Sequence, residues 1–342
     1  MYGQTLPPSA KTYDQRHRTE SAAAKAALDR LWKRMDGDFD TSYARIESRV
    51  LATTLLAQQR LSTLATDYVP SVLEDTGQTR AIIPAAQITT APLVGVAGDG
   101  RPVDSLLYGA VTTAKTRIAE GASQFQALQA GGQFLSVAAG TLFADTSRSA
   151  LSLATGVRPV SGMVRMVNPG ACSRCIILAG RWYRKNASFL RHPNCQCTSI
   201  PSSEAMAGDL TTDPAAHFDS LSPAEQDRAF TKAGAEAIRA GADINQVVNA
   251  RRGMWAAQSG RMRPVTIAGR EVYITLEGTT RRGRAYQAMS RSRSAQRQGE
   301  MVRSGQRYRA WRAPRLMPES IAQIATSRDD YLRLLRLYGY IL

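Results

Sequence analysis

Cys172 and Cys175 form a C-x2-C pair, and His192, Cys195 and Cys197 follow as H-x2-C-x-C. These are all four cysteines of the chain and one of its three histidines. Zinc takes four sulfur or nitrogen ligands in a tetrahedron, and a C-x2-C turn presents two thiolates to one ion. The second half offers three side chains for the two remaining places, and spacing does not rank His192 against Cys195 and Cys197. We therefore expect one structural zinc per chain, held by Cys172, Cys175 and two of those three. The plainer alternative is a reduced thiol cluster without metal, because a single C-x2-C is half a site.

A catalytic zinc keeps one position open for water and needs an acid or base beside it. From Cys172 to Cys197 there is no Asp or Glu, whereas Arg174, Arg181, Arg184, Lys185 and Arg191 are present. A nucleophilic pair of His192 with Cys195 or Cys197 lacks a third group to orient it. No catalytic residue is assigned, and the chain reads as structural rather than enzymatic. His17 and His217 lie in polar segments and read as surface residues.

The elements that must position the cluster form an α+β protein, mainly α. Residues 1–19 read as a polar arm and 20–157 as a helical domain, with Leu28, Leu31, Trp32, Met35 and Phe39 at helical spacing. Gly37 is the expected break between two helices, Pro70 the expected end of a run, and Gly131-Gly132 a separator further on. Residues 75–101 are broken by Pro and Gly and read as a loop or a short β excursion. The cysteine and histidine module spans 158–201, entered by a strand through Val160, Val164 and Met166. A linker over 202–219 follows. Residues 220–278 read as short helices broken at Gly234 and Gly241, plus a hairpin of 265–267 with 272–274. The first of these helices starts at Ser222-Pro223-Ala224-Glu225, a capping box. An arginine-rich segment covers 279–315. The chain closes with helices over 316–342, the last starting near Ser327 and ending at Gly339.

Charge adds a second functional signal. The chain of 342 residues carries 44 basic against 28 acidic side chains, a net charge of +16. Such an excess suits a polyanionic partner. It is concentrated in Arg281, Arg282, Arg284, Arg291, Arg293, Arg297, Arg303, Arg307, Arg309, Arg312 and Arg315, with Glu300 the only acid between 281 and 315. Tyr286, Tyr308 and Trp311 are interleaved. Arginines neutralise phosphates and aromatic rings stack on exposed bases, so DNA contact is one reading; a solvated segment, or docking on an acidic protein, is the other. The helices between Pro223 and Ala250 also admit a helix-turn-helix reading, weaker because the second of them is rich in alanine.

No stretch reaches the roughly 18 apolar residues of a membrane span. Met1-Tyr2-Gly3-Gln4 lacks the basic and apolar regions of a secretory signal. The expected setting is a reducing cytosol, where cysteines serve as metal ligands or thiols rather than disulfides.

The segments Asn168-Pro169-Gly170-Ala171-Cys172-Ser173-Arg174-Cys175, Ala179-Gly180-Arg181-Trp182-Tyr183 and Arg191-His192-Pro193-Asn194-Cys195-Gln196-Cys197 resemble, in that order, the signature of the Mu F-like family of phage head morphogenesis proteins. The stretch from Gly241 to Met254, Arg315-Leu316-Met317-Pro318-Glu319, and Leu334 to Ile341 are similar to members from actinobacteriophages. The resemblance runs from Val160 to the C-terminus; the N-terminal half shares only its helical texture. It implies a minor capsid protein in the virion head near the portal, made in the host cytoplasm. Implied partners are the portal protein, the major capsid or scaffolding protein and packaged double-stranded DNA, with no membrane. Members are often labelled capsid maturation proteases, which makes a protease the first alternative and a free-standing DNA-binding protein the second. A serine protease needs a serine and a histidine in mutual reach, and no persuasive set stands out.

Overall fold

The computed structural model describes residues 6–167, 171–185, 187, 195, 197–204, 213–257, 265–267, 270–275, 277–279, 283–291 and 315–341. They are mainly helical, with a few small antiparallel sheets. The chain divides into two compact units, residues 4–171 with 179–212, and residues 172–178 with 213–342.

The first unit contains α1 (Pro8–Trp32), the short α2 (Phe39–Ala44), α3 (Glu47–Asp75), α4 (Val103–Ala119) and α5 (Gln124–Gly156). α3 lies against α1 and α5, and α4 lies against α5. Leu28, Trp32, Val50, Leu61, Leu107, Leu135 and Phe143 meet in one core. Burying this surface, at about 25 cal/mol per Å² of apolar area, holds the helices more firmly than their propensities do.

Three expectations fail here, each because packing overrides a local signal. Within the expected arm of residues 1–19, the described residues are helical: α1 begins at Pro8, and Tyr13 stacks on Tyr68 of α3 with ring centroids 4.3 Å apart. Pro70 lies inside α3, because Val69, Val72 and Leu73 around it are fully buried; that burial outweighs the roughly 3 kcal/mol a proline costs a helix interior. Gly131 and Gly132 do not separate helices. They form a slot in α5 for the Trp32 indole, where a Cβ on Gly131 would fall 2.5 Å from the ring and one on Gly132 2.8 Å from it. The indole Nε1 donates to the Leu128 carbonyl at 2.8 Å.

β1 (Gly162–Met166) is the centre of a three-stranded antiparallel sheet, between β2 (Trp182–Arg184) and β3 (Thr198–Ser202). Val164 pairs with Trp182 on one side and Ile200 on the other. All of β1 and β3 is buried, and Val164, Met166 and Ile200 share a core with Tyr68, Val72 and Leu151. These strands, expected in a separate module over 158–201, are thus part of the helical unit.

The second unit contains α6 (Ser173–Ile176), α7 (Pro214–Ser220), α8 (Pro223–Phe230), α9 (Lys232–Arg239), α10 (Ile244–Ala257), the hairpin β4 (Val265–Ile267) with β5 (Arg270–Val272), β6 (Ile274–Thr275), α11 (Arg284–Ser290), β7 (Arg315–Leu316), α12 (Pro318–Ile324) and α13 (Arg328–Leu337). β6 pairs with β7. The Ser222 capping box forms as expected. So does the last helix: Ser327 accepts from the Asp330 N–H at its start, and Gly339 takes φ 67° after its end. The expected linker over 202–219 contains α7, anchored by Phe218 edge-to-face on Phe230 at 5.2 Å. The break expected at Gly234 falls instead at Thr231, which has φ 63°. Its hydroxyl lies 3.2 Å from Glu319 and accepts from Arg251, which offsets the cost of that backbone.

Candidate metal centre

α6 turns the first two cysteines the same way. Cys172 is its N-cap residue, the Cys175 N–H donates to the Cys172 carbonyl at 2.9 Å, and the two Sγ atoms are 3.6 Å apart. A zinc ion with bonds of about 2.3 Å to each sulfur sets neighbouring sulfurs about 3.8 Å apart, so this pair has the spacing of two ligands. Cys197 immediately precedes β3 and is fixed by it. The Sγ atoms of Cys175, Cys195 and Cys197 lie within 4.8 Å of one another, and all three residues are buried. This three-cysteine group could hold a metal ion. His192 lies outside the described residues.

Two buried cations surround the later pair. Arg148, on α5, donates through Nε to the Cys197 carbonyl at 2.8 Å and through Nη2 to the Cys195 carbonyl, while its Nη1 bonds Asp145 at 2.9 Å. Arg165, in the middle of β1 and 2% exposed, has Nη2 4.0 Å from the Cys195 sulfur. Sequence reasoning passed over both arginines. Arg165 does carry a signal, as a lone charge inside Met163-Val164-Arg165-Met166-Val167. Arg148 has none, since an arginine on a long helix normally faces solvent.

His17 and His217 are not surface residues; each is only 5% exposed. His217 is drawn into α7 beside Phe218 and its pKa is lowered by burial. His17 Nε2 is 3.0 Å from Ser147 Oγ, a serine and histidine in reach that the sequence did not reveal. The pair is unsuited to nucleophilic attack. Ser147 is 2% exposed, and its proton is committed to the Phe143 carbonyl at 2.9 Å. The adjoining cavity, lined by Tyr13, His17, Arg148 and Thr198 among others, has a volume of only about 10 Å³, room for about one water and not for a peptide.

Burial, and next the Arg148 charge, push His17 down to about 4. Because the folded value lies below the unfolded value near 6.5, the contribution is complete above pH 6.5 and is lost as pH falls towards 4, by roughly 3 kcal/mol at the limit. Asp14, raised by burial, works in the opposite sense. We expect His17→Gln to remove this acid sensitivity. Urea unfolding at pH 7 and pH 4.5 measures it, and an unchanged pH dependence in the variant would contradict the assignment.

The arginine segment is described only at its edges. Arg284 and Arg291 are exposed, with Arg284 3.7 Å from Asp243. Arg281, Arg282, Arg293, Arg297, Arg303, Arg307, Arg309, Arg312, Tyr308 and Trp311 lie outside the described residues. Arg315 departs from the expected solvent-facing series: it is fully buried, 3.9 Å from the Tyr340 ring centroid, and bonds the carbonyls of Tyr338, Gly339 and Glu277 and the Gln246 side chain. It is committed to the core and unable to meet phosphate. The alanine-rich second helix of the helix-turn-helix reading is α9, which exposes Lys232, Glu236 and Arg239. From Ile244 to Ala250 only Asn245 is exposed, because α10 serves the core of its own unit. No described helix is long and apolar enough to cross a membrane. No family model, curated protein or solved structure matches the chain.

Proposed function

We propose that the cysteine cluster is a structural zinc site, and that the chain is a minor structural protein of a tailed-phage head, associated with the portal inside the procapsid. The convergence of three buried sulfurs carries the metal reading. Zinc suits an all-sulfur or sulfur-rich tetrahedron, and burial leaves little access for the open water position a catalytic zinc keeps. The residues present fit the metal: Cys175, Cys195 and Cys197 would hold it, with Cys172, whose sulfur lies 3.6 Å from that of Cys175, and His192 the candidates for the fourth place. The ion would supply a crosslink in place of a larger core, which couples metal binding to local folding.

The head-protein reading rests on the sequence resemblance and on the net charge of +16. It predicts that purified virions contain the chain, and that co-expression leaves the major capsid protein uncut. Clipping of the capsid or scaffold would favour a maturation protease, and absence from virions a free-standing DNA-binding protein.

DNA contact is proposed for the arginines between 281 and 312, of which Arg284 and Arg291 are described and exposed. Each neutralised phosphate contributes about −0.9 to the log–log salt slope of duplex binding. Changing Arg291, Arg293 and Arg297 to Ala should flatten that slope by up to ~3 units, uniformly across sequences. Unchanged affinity and slope would shift the segment to docking on an acidic portal or scaffold surface.

A further inference from the structure

Cys172 is partly exposed, whereas Cys175, Cys195 and Cys197 are buried, Cys175 at 2% exposure. The Cys172 sulfur nevertheless lies 3.6 Å from that of Cys175. We propose that Cys172 and Cys175 form a thiol–disulfide switch set into the metal centre: a small-molecule disulfide reacts at Cys172, Cys175 resolves the adduct, and the resulting bridge expels the ion. The bridge rests on the geometry of this pair, and the expulsion rests on the metal reading above.

Exchange needs an accessible sulfur that attacks and a neighbouring sulfur that resolves the mixed disulfide. Exposure assigns the first role to Cys172, and the 3.6 Å separation assigns the second to Cys175. The turn of α6, closed by the Cys175 N–H on the Cys172 carbonyl at 2.9 Å, keeps the two sulfurs together. A disulfide bond of about 2 Å needs a further approach of about 1.5 Å, within the reach of side-chain rotation. In the first step the Cys172 sulfur attacks one sulfur of the small disulfide, whose S–S bond breaks, and one thiolate leaves. In the second the Cys175 sulfur attacks the Cys172 sulfur, and the other thiolate leaves. Two cysteine sulfurs are thereby oxidised to one disulfide, and one small disulfide is reduced to two thiols. Their protons come from the cysteines where these carry them and otherwise from water, and the metal stays divalent. Under the metal reading Cys175 is a ligand whether Cys172 or His192 completes the set. The bridge therefore takes at least one thiolate from the ion, and the thiolate is the form that binds metal.

The test incubates reduced, zinc-loaded full-length protein with oxidised glutathione. Released zinc is read with a chromogenic chelator, and disulfides are located by peptide mass spectrometry after the remaining thiols are alkylated. The expected result is release of one zinc per chain in step with a Cys172–Cys175 bridge, with Cys195 and Cys197 recovered alkylated. Dithiothreitol and zinc should restore the starting state. Cys172→Ser should keep its ion through the same incubation. If that variant is purified without zinc, Cys172 is the fourth ligand, and the wild-type disulfide map decides alone. Zinc-loaded protein that resists a large excess of oxidised glutathione, or whose first bridge contains Cys195 or Cys197, overturns this proposal alone. Protein that never carries zinc yet forms the Cys172–Cys175 bridge overturns the metal reading, and the expulsion with it, while the bridge stands.

Discussion

Arg315→Ala is expected to cost the second unit about 3–5 kcal/mol, since each buried acceptor left unpaired costs about 1–3 kcal/mol and several are lost together. The substitution strips donors from the carbonyls of Tyr338, Gly339 and Glu277, and removes the cation stacked on Tyr340. The bonds to Tyr338 and Gly339 are buried, so nothing replaces those two lost partners. Arg315→Lys should recover little, since an ammonium cannot serve as many acceptors in one plane. Calorimetry or urea unfolding that resolves the two units would show the second transition lowered and the first unmoved. A loss under about 1 kcal/mol would mean that the guanidinium is not the keystone its contacts indicate.

Trp32→Ala should destabilise the first unit by a similar amount, about 3–5 kcal/mol. The indole fills the slot over Gly131 and Gly132 and bonds the Leu128 carbonyl, so its removal leaves a cavity and takes one donor from that carbonyl. The slot is also testable from the other side. Gly131→Ala sets a methyl 2.5 Å from the indole and 2.7 Å from the Ala110 carbonyl oxygen, and backbone on one side limits relief. Overpacking of this kind costs typically 1–3 kcal/mol. If Gly131→Ala were as stable as the parent, the helices would be further apart than the slot implies.

These two sites show what could be read in the sequence and what could not. Local signals were sound where a side chain acts on its own backbone: the Ser222 box, the Ser327 cap and Gly339 all lie where their chemistry places them. The C-x2-C pair was legible for the same reason, since its turn is local. Signals failed where a distant partner decides. Glycines 131 and 132 look like breakers until Trp32 is laid across them, and Pro70 looks like a terminus until the burial of Val72 and Leu73 is seen. Arg315 looks like one more member of a basic run, because nothing local announces that Tyr340 and three carbonyls surround it. Arg148 and His17 were missed for the same reason: their partners are Cys195, Cys197 and Ser147, far along the chain.

The metal reading also has a mutational consequence. Cys175→Ser should lose the ion and lower the melting temperature, because structural zinc sites contribute folding free energy outright. Chelation of the wild type should reproduce the effect. A variant that melts like the parent would leave the thiols without a structural role.

The most direct measurement is elemental analysis of the full chain, purified under reducing conditions without added metal. One zinc per chain is expected, retained through gel filtration and released when the cysteines are modified with a mercurial reagent. Protein that carries no stoichiometric metal, and takes up none when zinc is supplied, would contradict it.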